Sequence, residues 1–450
     1  RAAALRAPRR HSRPHLAPPL VTRSATPSPA TGHPASTPAP AGEEYHDDII
    51  HPPRAPFVLV HLACAAALWT GVTSTALALC VGLYVVRMFG VTAGYHRYFS
   101  HRSFRTGRVF QFVLALLAQS SAQRGILWWA AKHRHHHRHS DTPEDVHSPR
   151  HRGFWYSHVG WIFQPQHDDT DFEAVPDLAR YPELVWLDRH RYLPAAALAA
   201  ACGLAAGWSG LVVGFFWSTV LLYHGTFFIN SLAHVHGRQR YVTGDDSRNN
   251  WWLAVLTLGE GWHNNHHAYQ RSTRQGFRWY EFDPTYYVLR ALSWVGVTWE
   301  LGEPPADVVA NERPLGRAVI EKVARQLAAS VPVDQLAVQA RERLAELARA
   351  EAALEAELAG ELRELQRWLD ARAAELSTRR DTAVQAVAAR LAALPLPTLP
   401  TVEELRARFL ATYADTPSLD AIVARARERV LEAVAHELLT TRAGPTPAPG

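Results

Sequence analysis

Two blocks of apolar sequence, residues 57–95 and 193–232, limit what this 450-residue chain can become. The first holds a single charge, Arg87. Each block is too long for one membrane crossing and is interrupted by turn-forming residues, at Gly71-Val72-Thr73 and at Gly207-Trp208-Ser209-Gly210. A bilayer core takes about 20 apolar residues per helix, slightly fewer where the ends sit in the interface. The blocks therefore read as four spans, near 57–71, 73–95, 193–207 and 209–232. The expected fold class is all-α: a multi-pass membrane protein of four transmembrane helices in two hairpins. A buried soluble hairpin would have to explain two such blocks, each flanked by basic segments.

Charge placement orients the spans. The hairpin loops carry no Lys or Arg, whereas 97–191 and the chain from 233 onward are rich in Arg. The positive-inside rule then puts both termini on the cytoplasmic face. The net charge of +5 comes from Arg, since the lysines are Lys132 and Lys322 alone. That bias, with the single methionine Met88, resembles the output of a GC-rich genome and suggests a bacterial inner membrane. No basic face interleaved with stacking aromatics is present, so no nucleic-acid partner is expected. Cys64, Cys80 and Cys202 all fall inside the expected spans and no C-x-x-C occurs. This argues against a zinc ribbon, an iron–sulfur cluster or a disulfide framework.

Three regions follow. Residues 1–45, rich in Pro, Ala and Arg, cannot bury a core and read as a disordered tail. Residues 46–312 hold the apolar blocks and the chemistry; within them 108–131 reads as an interfacial or re-entrant helix rather than a fifth span. Residues 313–450 form an Ala/Arg/Glu-rich helical extension with a disordered end. There Leu344, Leu347, Leu354, Leu358, Leu362, Leu365 and Leu369 recur at helical steps, and Pro395, Pro397 and Pro400 break the pattern before a second one at 402–439. A hairpin packing on itself explains this better than a coiled-coil partner site. His436-Glu437 lacks the second histidine of a zinc-protease helix.

The chemistry lies in three histidine clusters, each just beyond an apolar segment: His96 and His101, then His133, His136 and His137, then His263, His266 and His267. The last two share the pattern H-x-x-H-H. On a helix, positions i, i+3 and i+4 share a face, so each triplet is expected to point one way. Imidazole suits iron, copper, nickel and zinc, so ligand type does not choose the metal. Eight histidines are too many for one four-coordinate zinc, and two ions sharing the set is the economical reading. Asn230 and His234, four apart at the end of the last span, add a ninth ligand candidate and an amide that would orient a metal-bound water. His135, His139, His147, His151 and His158 do not fit the repeated spacing and read as supporting or surface residues.

The motifs HRYFSH, HRHHH and GEGWHNNHH, with Asn230-Ser-x-x-His234 and the segment Arg152-Gly-Phe-Trp-Tyr-Ser-His-Val-Gly-Trp161, resemble the membrane-bound acyl-CoA (stearoyl-CoA type) fatty-acid desaturases. The likeness covers about 50–300. It implies two iron ions held by His96, His101, His133, His136, His137, His234, His263, His266 and His267, with Asn230 holding a water. It implies O2 as co-substrate, a cis double bond placed in a saturated long-chain acyl thioester, and a tunnel lined by Gln123 and Trp129. One departure stands out: where eukaryotic members carry Arg-Asp before the second cluster, this chain has Ala131-Lys132. The headgroup read there would be coenzyme A, acyl carrier protein or a lipid. No haem-binding or flavin module is present, so the electrons would come from a separate protein of ferredoxin or cytochrome b5 type with its reductase.

Two rivals remain within the enzymes, an acyl-lipid desaturase and a fatty-acyl or alkyl hydroxylase. From another class comes a non-catalytic membrane metal-binding or transport protein. A transporter places its polar ligands at mid-membrane, and here they lie at or beyond the span ends.

Overall fold

The computed structural model describes residues 55–369 and 399–440. The expected tail at 1–45, Pro395, Pro397, the chain end beyond 440 and the side chains of Leu354, Leu362, Leu365 and Leu369 lie outside the described residues.

Both apolar blocks fold as helical hairpins, and both reverse at glycine. Helix α1 (Ala55–Thr70) stops at Gly71, whose φ of +71° favours a residue without Cβ. Helix α2 (Ser74–Ser100) then begins with Thr73 as its N-cap, its hydroxyl accepting from the Ala76 amide at 3.1 Å. In the second block, helix α7 (Leu193–Ser209) leaves helical geometry at Ala206 and Gly207, and the chain returns through Gly210–Trp217 into α8 (Ser218–Asn230). The two turns meet: the Ser209 hydroxyl donates to the Gly71 carbonyl at 3.0 Å and accepts from the Thr73 amide at 3.3 Å. Ser74–Ser100 and Leu193–His234 are each long and apolar enough to cross a membrane, the second counted across its turn, while α1 is shorter.

The segments between the hairpins carry the site. Among the described residues the regular elements are helices apart from one two-residue strand pair, β1 (Arg105–Thr106) antiparallel to β2 (Thr298–Trp299), and isolated bridges at Asn249. Helix α3 (Arg108–Gln119) is short and packs on the end of α2, burying Leu114, Ala115 and Ala118. A tight turn leads to α4 (Ile126–His139), which carries the second histidine cluster. Helices α5 (Phe154–His158) and α6 (Pro182–Arg189) brace it. Beyond α8, short helices α9 (Trp251–Leu256), α10 (His263–Ala268) and α11 (Pro284–Trp294) complete this region, and α10 carries the third cluster.

The extension is a helical bundle of α12 (Arg317–Ala329), α13 (Val333–Leu369), α14 (Val402–Thr412) and α15 (Leu419–Thr440). Val323, Leu327, Leu405, Phe409, Ile422 and Val430 form its core, which also takes in Val242 from the loop before α9.

The start of α4 is capped from a distance. One Asp188 carboxylate oxygen, supplied by α6, accepts from the Leu127 and Trp128 amides at 2.9 and 3.3 Å. Gly125 leaves room for it, because a Cβ there would stand 1.9 Å from that oxygen. Asp188→Ala is expected to lower unfolding stability by about 1–3 kcal/mol, as lost caps and orphaned buried amides do. Asp188→Asn, which keeps an acceptor oxygen, is expected to cost much less. Denaturant or thermal unfolding of the three proteins side by side checks this.

Candidate metal centre

The first cluster owes its geometry to a wider helix. From Gly90 to Ser100, α2 closes in π-helical turns, and the His101 amide bonds the His96 carbonyl at 3.2 Å. Residues five apart do not share a face on an α-helix, but here the His96 and His101 rings stand 4.8 Å apart. Arg97, fully buried between them, ties this turn to Glu260 (3.1 Å) and Asp283 (2.9 Å) beside the third cluster.

All nine histidines gather, in two groups. His96, His101, His133, His137 and His266 make one, and His136, His234, His263 and His267 the other; within each, the donor nitrogens lie within 4.8 Å of one another. This corrects the expectation that each H-x-x-H-H triplet points one way. The i and i+4 residues of α4, His133 and His137, enter the first group, while His136 enters the second. Helix α10 does the reverse: His263 and His267 enter the second group and His266 crosses into the first. Residues i and i+3 differ by about 60° around an α-helix, enough for one box to serve two adjacent centres.

Asn230 and His234 do not share a helix face either. The α-helix ends at Asn230 and a 3-10 turn, Leu232–His234, follows. His234 joins the second group, whereas Asn230 lines a neighbouring cavity with His133, Gln123 and Trp129. Gln123 donates to the Thr226 hydroxyl at 3.1 Å. Trp129 lies between Tyr95 and His133, ring centroids 5.1 and 4.9 Å away, and so walls the cavity beside the first group. Two histidines read as supporting or surface residues are buried: His147 packs on His136 at 4.5 Å, and His158 lies under α8. His135 donates to or accepts nothing in either group; its Nε2 meets the Glu144 carbonyl at 2.9 Å.

What orients the rings was not read from the sequence. His136, His234 and His267 each place Nδ1 against a buried carboxylate: Asp145 at 3.1 Å, Asp141 at 2.8 Å and Asp245 at 2.7 Å. In the first group His96 does the same with Glu260 at 2.5 Å. A carboxylate accepts, so Nδ1 carries the proton and Nε2 presents a lone pair inward. The inward atoms crowd: His96 to His266 at 3.0 Å, His137 to His266 at 2.9 Å, His234 to His263 at 3.1 Å, all Nε2 to Nε2. His267 Nε2, buried, has no hydrogen-bond partner. Nitrogens bound about 2.1 Å from one ion stand about 3 Å apart when adjacent, so these spacings suit a shared cation. The carboxylates had a sequence signal in Asp141-x-x-x-Asp145 and in the Glu260 of Gly-Glu-Gly-Trp, but nothing local pairs them with their histidines.

Burial and the neighbouring imidazoles push His101, His133, His137, His263 and His266 well below the ordinary histidine range, so they are neutral and able to donate. Asp141, Asp145, Asp245 and Glu260 are buried too, yet the adjoining histidines, and Arg97 for Glu260, hold them below the carboxylate range.

A family model described as fatty acid desaturase matches residues 72–297, which enclose all nine histidines. The chain is 37% identical over 221 residues to an sn-2 palmitoyl-lipid 9-desaturase of Nostoc sp. (strain 36), covering 48% of this chain and 77% of that one. It is 40% identical over 210 residues to an sn-1 stearoyl-lipid 9-desaturase of Anabaena variabilis, covering 46% and 76%. It is 37% identical over 271 residues to an acyl-CoA 5-desaturase of Anemone leveillei, covering 58% and 82%.

The neutral histidines set a pH dependence whose sign is fixed. Their folded pKa lies below the unfolded value of about 6.5, so the unfolded chain binds more protons once pH falls under that value. Below about pH 6.5 these five histidines are expected to lower the stability of the metal-free protein, each by up to about 1.4 kcal/mol per pH unit. Above it His234, which Asp141 pushes up to about 9 against its burial, gives the opposite and smaller slope, stability falling as pH rises toward 9. A thermal unfolding series from pH 8 to 5 checks this; a midpoint that stays level to pH 5 would contradict it.

Proposed function

We propose how this site works from one premise: the chain belongs to the fatty acid desaturase family. That family is membrane-bound and metal-dependent, and its members are oxidoreductases acting on fatty acyl chains, so this chain is a fatty-acyl desaturase.

In our reading the metals are two iron ions. His96, His101, His133, His137 and His266 hold one, and His136, His234, His263 and His267 hold the other, while Asn230 holds a water at the cavity. The convergence of these nitrogens in two groups carries the proposal. Charge supports bound cations. Asp141, Asp145 and Asp245 bring three buried negative charges against the second group, and Glu260, which also pairs with Arg97, faces the first, so both groups suit cations. Bound iron, with O2 and two electrons, supplies an oxidant able to take hydrogen from an unactivated methylene, which acid–base chemistry cannot do. The protein's own part is to hold imidazoles neutral and to aim them by their carboxylates beside the cavity that Trp129 walls. Gln123 and Trp129 line the tunnel for the acyl chain.

The membrane arrangement follows the two hairpins, read as four spans. Leu68, Trp69, Leu204 and Trp208 are 74–90% exposed near their turns, as lipid-facing and interfacial residues would be. The histidines and both termini then face the cytoplasm, the division at 46–312 and 313–450 separates desaturase and extension, and a separate donor of ferredoxin or cytochrome b5 type supplies electrons there. The substrate is a saturated long-chain acyl thioester, acyl-CoA first, with Lys132 at the cavity. A lipid-linked acyl chain is the second reading, favoured by the relatives named as acyl-lipid 9-desaturases.

Expression in a host lacking its own desaturase, followed by acyl-chain analysis, tests the reading. A new cis double bond is expected, in the acyl-CoA pool before the lipids if the thioester is the substrate. Saturated chains only, from folded protein with about two irons per chain and a competent donor, would overturn it. His136→Ala and His266→Ala are expected to abolish activity and His135→Ala to leave most of it. Asp245→Ala is expected to weaken metal retention about 10–100-fold, as loss of an orienting carboxylate does.

A further inference from the structure

Three histidines outside the metal centre stand in a line. His61 on α1 meets His224 on α8, Nε2 to Nε2, at 3.2 Å. His224 Nδ1 meets His158 Nε2 at 2.9 Å, and His158 Nδ1 meets the Ser231 hydroxyl at 3.0 Å. The two ends decide where the protons sit. His61 Nδ1 lies 2.7 Å from the Phe57 carbonyl, which only accepts, so that nitrogen carries a proton. Ser231 donates to the Phe227 carbonyl at 2.9 Å, so toward His158 it accepts, and His158 Nδ1 carries a proton too.

Four nitrogen-centred contacts thus need four protons, and three neutral imidazoles bring three. The neutral line has one open link. With His158 and His224 both protonated at Nδ1, that link is His61 to His224, which is the longest nitrogen contact of the line at 3.2 Å. One added proton closes it. The surroundings tolerate a transient cation without trapping it: Phe57 lies tilted against His61 at 4.4 Å and Phe228 against His158 at 4.7 Å, and Tyr223 and Phe227 complete the wall. Tyr223 is the one titratable group among these neighbours, and its hydroxyl is committed to the Ala122 carbonyl at 3.1 Å. The inner end reaches the site through α5, because Ser157, next to His158, donates to the Asn230 carbonyl at 2.9 Å, and Asn230 lines the cavity. The outer end, half-buried, sits six residues into α1, about 9 Å from its start at the helical rise per residue.

We propose that His61, His224 and His158 form a proton relay from the membrane-interface side of α1 to the cavity at Asn230, serving the desaturation. This rests on the O2-dependent reading above. One saturated chain, one O2, two electrons from the donor protein and two protons give one unsaturated chain and two waters. The two protons must reach the site from outside it. A proton taken up at His61 Nε2 passes to His224 Nε2; His224 yields its Nδ1 proton to His158 Nε2; His158 yields its Nδ1 proton to the Ser231 oxygen as that hydroxyl turns from the Phe227 carbonyl and releases its own proton toward the cavity at Asn230. His224 and His158 end neutral with the proton on Nε2, and each must exchange that proton for one on Nδ1 before the second proton can follow.

The test has an arm that needs neither metal nor turnover. Nitrogen-15 NMR of the metal-free protein in lipid nanodiscs, with the rings assigned by single substitutions, should show the three imidazoles taking up one proton collectively. In His224→Phe, His61 and His158 should titrate separately. Independent titration of all three in the parent would overturn the relay. In the iron-loaded protein, His224→Phe and His61→Phe should keep metal content and KM but lower kcat at least 10-fold and release peroxide in place of double bonds. An unchanged yield of double bonds per O2 in either folded variant would also overturn it. If the parent makes no double bond, the desaturation reading fails first, and the NMR arm still decides whether the line conducts protons.

Discussion

Nothing in this site is organised until the imidazoles are turned inward, and the contact that turns them is carboxylate to Nδ1. Asp141, Asp145 and Asp245 each hold one histidine of the second group, and Glu260 holds His96 of the first. Each carboxylate is itself fixed. Asp141 accepts from Ser148 and the Asp246 amide, Asp145 from the Asp141 amide, Asp245 from Thr243 and Ser247, and Glu260 from Arg97. A buried carboxylate without such donors would be costly, and so would nine converging lone pairs without a cation. The two costs cancel when charge of each sign is brought to the same place.

The same balance explains why the second and third clusters interlock. A helix that gives i and i+4 to one centre leaves i+3 turned toward a second, so two helices set side by side complete each other's sets. Helix α10 is short and would not hold this register alone. Asn264 accepts from the Arg240 and Tyr241 amides at 2.7 and 2.8 Å, and Asn265 donates to Glu281 at 2.8 Å. The two asparagines inside H-N-N-H-H thus anchor the turn that the histidines use.

Much of this was legible from residue spacing, and the remainder shows where spacing stops. The reversals at Gly71 and Gly207 follow from turn chemistry inside apolar runs, a local signal. Six of the histidines were legible because identical ligand types repeat at helical intervals, and His96, His101 and His234 because they stand at the ends of the apolar blocks. Their division into two groups was not, because it depends on how α4 and α10 cross, and that is set by contacts far apart in sequence. The face shared by Asn230 and His234 failed for a local reason: the helix tightens after Asn230, which no single residue there announces. The π-helical turn at His96 was hidden too, although an H-x(4)-H spacing suits a helix that closes at five residues. The carboxylates were missed because they come from loops, where an aspartate ordinarily faces water.

The extension bears on the same contact. Gln326 donates to the Gly244 carbonyl at 3.1 Å, and the Lys322 ammonium donates to the Ser140 carbonyl. A Cβ on Gly244 would stand 3.2 Å from Lys322 and 3.5 Å from Val323, so α12 lies directly on this loop. Val242 is buried in the bundle's core, and three residues on, Asp245 orients His267. Ser140 likewise precedes Asp141, which orients His234. A bundle outside the segment shared with the family model therefore packs against the backbone of two of the three loop carboxylates of the second group. Loosening α12 would free those loops before it disturbed any histidine, so the order of the second group includes the packing energy of helices that contribute no ligand to it.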